Sequence, residues 1–255
     1  GHWLTGRLGA APLDALVAAI LSDAGIGNGV SDDLRESVEG YMLDRPMAPR
    51  AAIEPLALAY AFDAHEDGAV LRFRPRGGRS VLTLDEEDLV LPDNGAPLRC
   101  VRAQETELPR QASIGFTVAC ADYRRSAATS RRLVGGSQRS SHADLAVVTD
   151  AVAATRRADI WLQDLWVGRE RADFTLPPSL LRLSAGDVVT VNTGGLSRLI
   201  EVREVVDTEH RAVKGRAIDP GVFAVPLAPA QRPHPEIPPA RGPVLGMLME
   251  LPRLP

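Results

Sequence analysis

Ser140-Ser141-His142 followed by Asp144 brings a hydroxyl, an imidazole and a carboxylate close together, the three side-chain types of a hydrolytic triad. In such a triad the hydroxyl attacks, the imidazole takes its proton, and the carboxylate holds the imidazole in one tautomer. Triad members converge from separate elements, so adjacency along the chain argues against this chemistry. The five histidines are His2, His65, His142, His210 and His234. No two are spaced to share a metal from one helix or strand, and surface positions are expected for them. Cys100 and Cys120 lack CxxC spacing and suggest neither zinc nor a disulfide framework; two buried free thiols are expected. Asp85-Glu86-Glu87-Asp88 has the character of a solvated turn, and Glu66 and Asp67 fall at a hairpin tip without the cleft that paired carboxylates need. Gly25-Ile26-Gly27-Asn28-Gly29 follows a helix instead of joining a strand to one, so it lacks the dipole that makes a phosphate loop. Trp3, Trp161 and Trp166 could stack on sugars, with Trp161 expected in the core and Trp166 nearer the periphery. No residue is therefore assigned a catalytic, cofactor-binding or metal-ligating role, and no cofactor is expected.

The elements carrying these residues alternate between helix and strand in the first half. Leu13, Leu16, Val17, Ile20 and Leu21 form one apolar stripe of a helix from Pro12 to Ala24, stopped at Gly25. A short helical turn is expected at Ser31-Asp32-Asp33 and a strand near Val38 to Leu43. A second helix spans Pro49 to Tyr60 with Ile53, Leu56 and Tyr60 inward; Pro55 predicts a later start or a kink. Asp67-Gly68 between Phe62–Glu66 and Ala69–Arg74 has the chemistry of a tight β-hairpin.

Beyond about residue 110 strands dominate. Ile114 to Ala121 and Ser126 to Val134 alternate, and Gly135 to Asp144 is a polar loop by composition. Asp150 suits the cap of a helix to Val167, whose Ala154, Ala158, Trp161, Leu162 and Leu165 share a face, with Arg156, Arg157, Gln163 and Asp164 largely outside it. Ala172, Phe174 and Leu176 alternate in a strand that Pro177-Pro178 ends. Strands are also expected at Val188–Asn192, Arg198–Val206 and Ala212–Ile218, and this spacing favours a small barrel or sandwich. From Pro220 onward the chain becomes extended and rich in proline, as in a linker or strap.

Composition fits a folded chain: 255 residues, 45% hydrophobic and 24% charged. A net charge of −4 disfavours non-specific adhesion to nucleic acid. No apolar run approaches the roughly 20 residues needed to span a bilayer as a helix. Lys214 is the only lysine; coding bias explains the arginine excess, and arginine-mediated subunit contacts would also do so. The absence of an initial methionine and the proline-rich end suggest a piece of something longer.

The ordered succession DALVAAILSDAGI, YMLDRPMAPRAAIEPLALAYAFDAHEDGAVLRFRPR, IGFTVACADY, ADIWLQDLWVGRERADFTLPPSLLRLSAGDVVTV and KGRAIDPGVF resembles the tail-tip hub proteins of long-tailed phages. It is most similar to the large host-specificity ("megatron") protein of gene transfer agents, in its phage-tail-protein region, over Leu8 to Phe223. The resemblance implies an α+β fold: β-barrel-like tube domains of tail-hub type, an α/β portion, and an extended Pro-rich C-terminal segment. The expected division is an α/β hub portion over 1–110, a β-rich tube domain with one packing helix over 111–224, and a linker or strap over 225–255. It also implies a structural subunit and not an enzyme. Three copies would form a ring at the tail tip that continues the tail tube and meets other tail-tube and baseplate proteins. DNA would pass through the lumen without specific binding, the recipient cell envelope would be met indirectly, and assembly would occur in the bacterial cytoplasm. Two rival readings are a cell-surface glycan-binding module, motivated by exposed-strand architecture and Trp166, and a hydrolase domain using His142 with Ser140 or Ser141.

Overall fold

The computed structural model describes residues 10–91, 96–121 and 123–224. The expectations for His2, Trp3, His234, the Cys120 side chain and the proline-rich segment 225–255 lie outside the described residues. In chain order the elements are β1 (Ala11–Pro12), α1 (Leu13–Asp23), β2 (Gly29–Ser31), β3 (Ser37–Val38), β4 (Gly40–Tyr41), α2 (Pro49–Tyr60), β5 (Phe62–Asp67), β6 (Val70–Pro75) and β7 (Ser80–Leu84). They continue with β8 (Leu98–Arg102), β9 (Gln111–Val118), β10 (Arg124–Arg131), β11 (Ser140–Val148), α3 (Ala151–Val167), β12 (Glu170–Leu176), β13 (Val188–Thr193), β14 (Leu196–Asp207) and β15 (Arg211–Ala217).

The apolar stripe of α1 is buried as its spacing requires, through Leu13, Val17, Ile20 and Leu21. Helix α2 begins with Pro49 at its first turn, where the missing N–H costs nothing, and runs through Pro55 to a left-handed cap at Ala61. Its inward Ile53, Leu56 and Tyr60 join α1 and the β5–β6 hairpin in one core built on Phe62 and Phe73. The Asp150 side chain accepts from the Ala153 N–H at 2.8 Å and caps α3. A second core lies under β12–β14, with Phe174, Leu176, Val189, Val191, Ile200 and Val202.

The fold is α+β, with mixed sheets and three α-helices among the described residues. The six-stranded sheet runs β7-β13-β14-β15-β12-β8, the four-stranded sheet β10-β9-β11-β4, and the three-stranded sheet β2-β6-β5. The barrel expectation needs correction, because the six-stranded sheet is open. Strands β12 and β13 could close on each other only if both edges were free, and upstream strands occupy them. Strand β7 pairs in parallel with β13, and β8 pairs antiparallel with β12.

Three local expectations also change. Ser31 to Asp33 is the end of a strand and a bend, because β2 pairs with β6 and Asp33 takes a left-handed φ of 64°. Much of the expected loop Gly135–Asp144 is strand: Ser140 to Asp144 pair in parallel with Gln111 to Gly115 of β9. Arg157 and Asp164 are buried on α3 instead of lying outside its packed face, because each finds a partner there.

Candidate functional site

The densest arrangement of chemistry-bearing side chains is a closed ring of three arginines and three carboxylates between the two cores. Arg76, just past β6, donates to Asp63 of β5 at 2.7 and 2.8 Å and reaches Asp164 of α3 at 3.1 Å. Arg216 of β15 lies 2.9 Å from the other oxygen of Asp164 and 2.9 Å from Glu201 of β14. Arg203 completes the circuit, 2.9 Å from Glu201 and 2.9 Å from Asp63. The Glu201 and Asp164 side chains are 3% and 5% exposed, so their charges survive only because two guanidinium groups lie within 3.1 Å of each.

Backbone geometry puts the six groups in reach. Glu201 and Arg216 are direct cross-strand partners. A register irregularity between Val202 and Glu204 falls at Arg203. At the end of α3, Gly168 leaves room for Arg216, whose Nη1 would sit 2.7 Å from any Cβ there. Beyond the ring a second chain of charges runs outward, from Arg74 to Asp187 and Asp32 at 3.0 Å each, and from Arg72 to Asp67 at 2.8 Å.

Electrostatics make this cluster a joint and not an acid–base centre. Burial raises the Asp63 carboxyl, but its hydrogen bonds from Arg76 and the charges of Arg76, Arg203 and Arg216 outweigh burial and hold it below its ordinary value. Arg76 is held even more firmly protonated than usual despite burial, because Asp63, Asp164 and Glu201 surround it. His65, on the β5–β6 hairpin, is 8% exposed, which corrects the surface placement expected for it. Burial pushes its imidazole below the ordinary value, against the pull of Asp63 and Glu201. The ring lies against Gly186, where φ is +89° and a Cβ would come within 2.8 Å of the imidazole.

The candidate triad does not assemble. His142 and Ser140 are exposed on β11, and Asp144 is ion-paired with Arg125. Among the described residues no hydrogen bond links Ser140 or Ser141 to His142, and His210 is exposed far along the chain. The Gly25–Gly29 run instead connects α1 to β2, with the Asn28 amide donating to the Ala69 carbonyl at 2.6 Å. The acidic run forms a short turn in which the Asp85 N–H donates to Asp88 at 2.9 Å, and Asn192 donates to Asp85 at 2.9 Å. Among the described residues no three His, Cys, Asp or Glu side chains are grouped to hold a metal. Cys100 is exposed, not buried, because β8 is an edge strand.

Trp166 lies deeper than expected. Trp161 is partly buried, while Trp166 is 6% exposed and donates its indole N–H to the Pro109 carbonyl at 2.8 Å. The Arg132 and Arg169 guanidiniums lie 4.0 and 5.4 Å from its ring centre. A ring covered in this way cannot stack on a sugar, and the glycan reading loses Trp166 as a motive. The arginine–carboxylate ring had no motif, yet one signal was present. Arg72 and Arg74 of β6 and Arg76 just past it recur at every second position, beside a hairpin that also carries Asp63 and Asp67.

Known proteins share both this α+β scaffold and its sequence. The family described as "Putative phage tail protein" matches residues 48–205, and the chain belongs to it. A chain from the virion of a native gene transfer agent particle is 31% identical, with a TM-score of 0.81 over 88% of this chain and 51% of that one. The protein thus spans about half the length of that virion chain. The 43 kDa tail protein of prophage MuSo2 from Shewanella oneidensis shares the fold, with 16% identity and a TM-score of 0.56 over 89% of this chain and 68% of that one. So does a tail protein from Neisseria meningitidis MC58, with 9% identity and a TM-score of 0.57 over 85% and 69%. No curated protein matches the sequence.

Proposed function

We propose that this phage tail structural protein is a hub subunit of the tail tip, three copies of which close a ring that continues the tail tube and conducts DNA. The observation that carries the reading is the open six-stranded sheet, with an acidic turn following one edge strand and two arginines on the other. Edge strand β7 runs into Asp85, Glu86, Glu87 and Asp88, while edge strand β8 carries Arg99 and Arg102. A head-to-tail seam, β8 of one copy beside β7 of the next, pairs both rows of free backbone groups and matches their charges. A closed ring leaves no edge to recruit further chains. The likeness to a virion chain supports a place in the particle, beside other tail-tube and baseplate proteins. No catalytic role is part of this reading. The recipient envelope is met only through other parts of the tail. Acidic groups outnumber arginines on the lumen wall, so phosphates slide past without ion pairing.

Electron microscopy of the purified chain and of the particle should show threefold rings around a channel. Reversing Arg99 and Arg102 to glutamate should abolish rings, and adding Glu86→Arg and Glu87→Arg should restore them. In a chain with Cys120→Ser, maleimide labelling of Cys100 should fall at least tenfold on ring formation, because its strand becomes the seam. A chain that stays monomeric in its particle, or rings indifferent to both reversals, would sink the proposal.

A further inference from the structure

Where α3, the end of β10 and the C-terminal end of β8 meet, a pocket of about 580 Å³ opens, within the roughly 300–1,000 Å³ of binding sites. Arg102, Arg131, Arg132 and Arg169 stand on its walls beside the carboxylates of Asp159, Glu170 and Asp219. Several of these charges already have partners. Arg169 lies 3.1 Å from Glu105, Glu170 lies 3.2 Å from Arg198, and Asp219 accepts from the Gly221 N–H at 2.9 Å. Among the described residues Arg102, Arg131 and Arg132 form no ion pair, and Asp159 is the one lining carboxylate without a hydrogen bond. Three guanidiniums are thus left against one carboxylate. Arg132 is also held in place: its guanidinium lies 4.0 Å from the Trp166 ring centre, and its buried Nε has no acceptor among the described residues. A guanidinium fixed before binding loses little freedom when a carboxylate arrives.

Strand direction indicates which carboxylate that is. Strands β7 and β8 lie on opposite edges of the six-stranded sheet yet run the same way. Strand β7 is parallel to β13, and four antiparallel steps, through β14, β15 and β12, lead from β13 to β8. When β8 of one copy lies beside β7 of the next, the C-terminal ends of both therefore meet at one rim. Arg102 ends β8 and lines the pocket, while Leu84 ends β7 and leads straight into Asp85–Asp88. Paired strands lie about 4.8 Å apart, so the neighbour's acidic turn emerges beside the pocket mouth. Within its own chain that turn has work for three of its four carboxylates. Asp85 accepts from the Asn192 amide at 2.9 Å, Glu86 from the Gly194 N–H at 3.4 Å, and Asp88 from the Asp85 N–H at 2.9 Å. Glu87 is exposed and accepts from nothing among the described residues.

We infer that this pocket receives Glu87 of a second copy of the chain, among Arg102, Arg131 and Arg132. The contact ties the neighbour to β10 and α3, which lie outside the six-stranded sheet, as well as to its edge. The inference rests on the head-to-tail order of the proposed ring and not on its closure. Two full-chain proteins test it, both with Cys100→Ser and Cys120→Ser, one carrying Glu86→Cys and the other Gln163→Cys, an exposed lining position. Mixed and treated with a short bis-maleimide, they should give a product joining positions 86 and 163, identified by mass spectrometry of the linked peptides. Leu181→Cys in place of Gln163→Cys, exposed beyond the far end of β12, should react at least tenfold more slowly. Glu87→Arg in the first protein should slow the 86–163 link at least tenfold, and Arg131→Glu in the second should restore it to within about threefold. A purely structural effect of either substitution would give no such rescue. Linked pairs or open chains without threefold rings would uphold this contact and remove the ring. Threefold rings in which positions 86 and 163 link no faster than 86 and 181, or a charge swap without rescue, would overturn the inference and leave the ring standing.

Discussion

Asp164→Asn is the sharpest perturbation of the ionic ring. The side chain is 5% exposed and faces two arginines, Arg76 at 3.1 Å and Arg216 at 2.9 Å. The amide keeps the shape of the carboxylate, but its oxygen can accept from one guanidinium while its NH2 must face the other, donor against donor. Both arginines keep a second partner, Asp63 or Glu201, so neither charge is fully orphaned. Breaking a buried ion pair by removing one partner costs about 3–5 kcal/mol. For a chain of this size that corresponds to a fall in Tm of roughly 6–20 °C. Urea denaturation followed by tryptophan fluorescence and circular dichroism measures it. Glu204→Gln is the reference, because Glu204 and Lys214 are 51% and 60% exposed and their pair should contribute at most about 1 kcal/mol. Glu201→Gln in the same background tests whether the six groups act as one unit, since Glu201 and Asp164 share Arg216. The double substitution should cost at least about 1 kcal/mol less than the two singles added together. If Asp164→Asn loses no more than Glu204→Gln, or the two singles simply add, the ring is a list of pairs and the argument fails.

Acid should loosen the same joint in two stages. The folded-state value of His65 lies below its ordinary 6.5, so the unfolded chain binds the extra proton first; stability is full above pH 6.5 and falls as the pH drops below it. The carboxyl of Asp63 is also depressed, from 3.8, so a second loss follows below that pH. His65→Gln should flatten the first stage in a stability-against-pH titration and leave the second. Gly186→Ala should destabilise by about 1–3 kcal/mol in chemical denaturation, since the position combines a φ of +89° with a contact to His65. Trp166→Phe should cost about 1–3 kcal/mol by the same assay, because the Pro109 carbonyl loses its donor and Arg132 and Arg169 lose the indole face.

What was legible in the sequence was the part governed by local periodicity. The α1 stripe, the α2 and α3 spans and the Asp67-Gly68 hairpin follow from spacing, caps and turn residues, and the structure places them close to the predicted bounds. Pairing over long distances was not legible. Nothing local to Ser80–Leu84 or Leu98–Arg102 announces that they bracket strands 70 to 110 residues later, and so the open sheet was expected as a barrel. Burial of charge was the other blind spot. Arg157 and Asp164 look like the wet face of α3 until Thr149, Arg76 and Arg216 are seen to meet them. His65 went inside for the same reason, its surroundings being supplied by Gly186 and β14 and not by its own hairpin.

The bracketing of the six-stranded sheet also sets an order of events during synthesis. Strand β7 must wait for β13, and β8 for β12. Between Leu84 and Val188 a ribosome adds about 100 residues, roughly 5–20 s at 5–20 residues per second. Throughout that interval Val81 belongs to a strand without a neighbour, and so does Val101 from its own synthesis until Arg171 emerges, both exposed to other nascent chains. Acidic Asp85 to Asp88 on one and basic Arg99 and Arg102 on the other surround these segments with charge, which keeps them dispersed until their partners emerge.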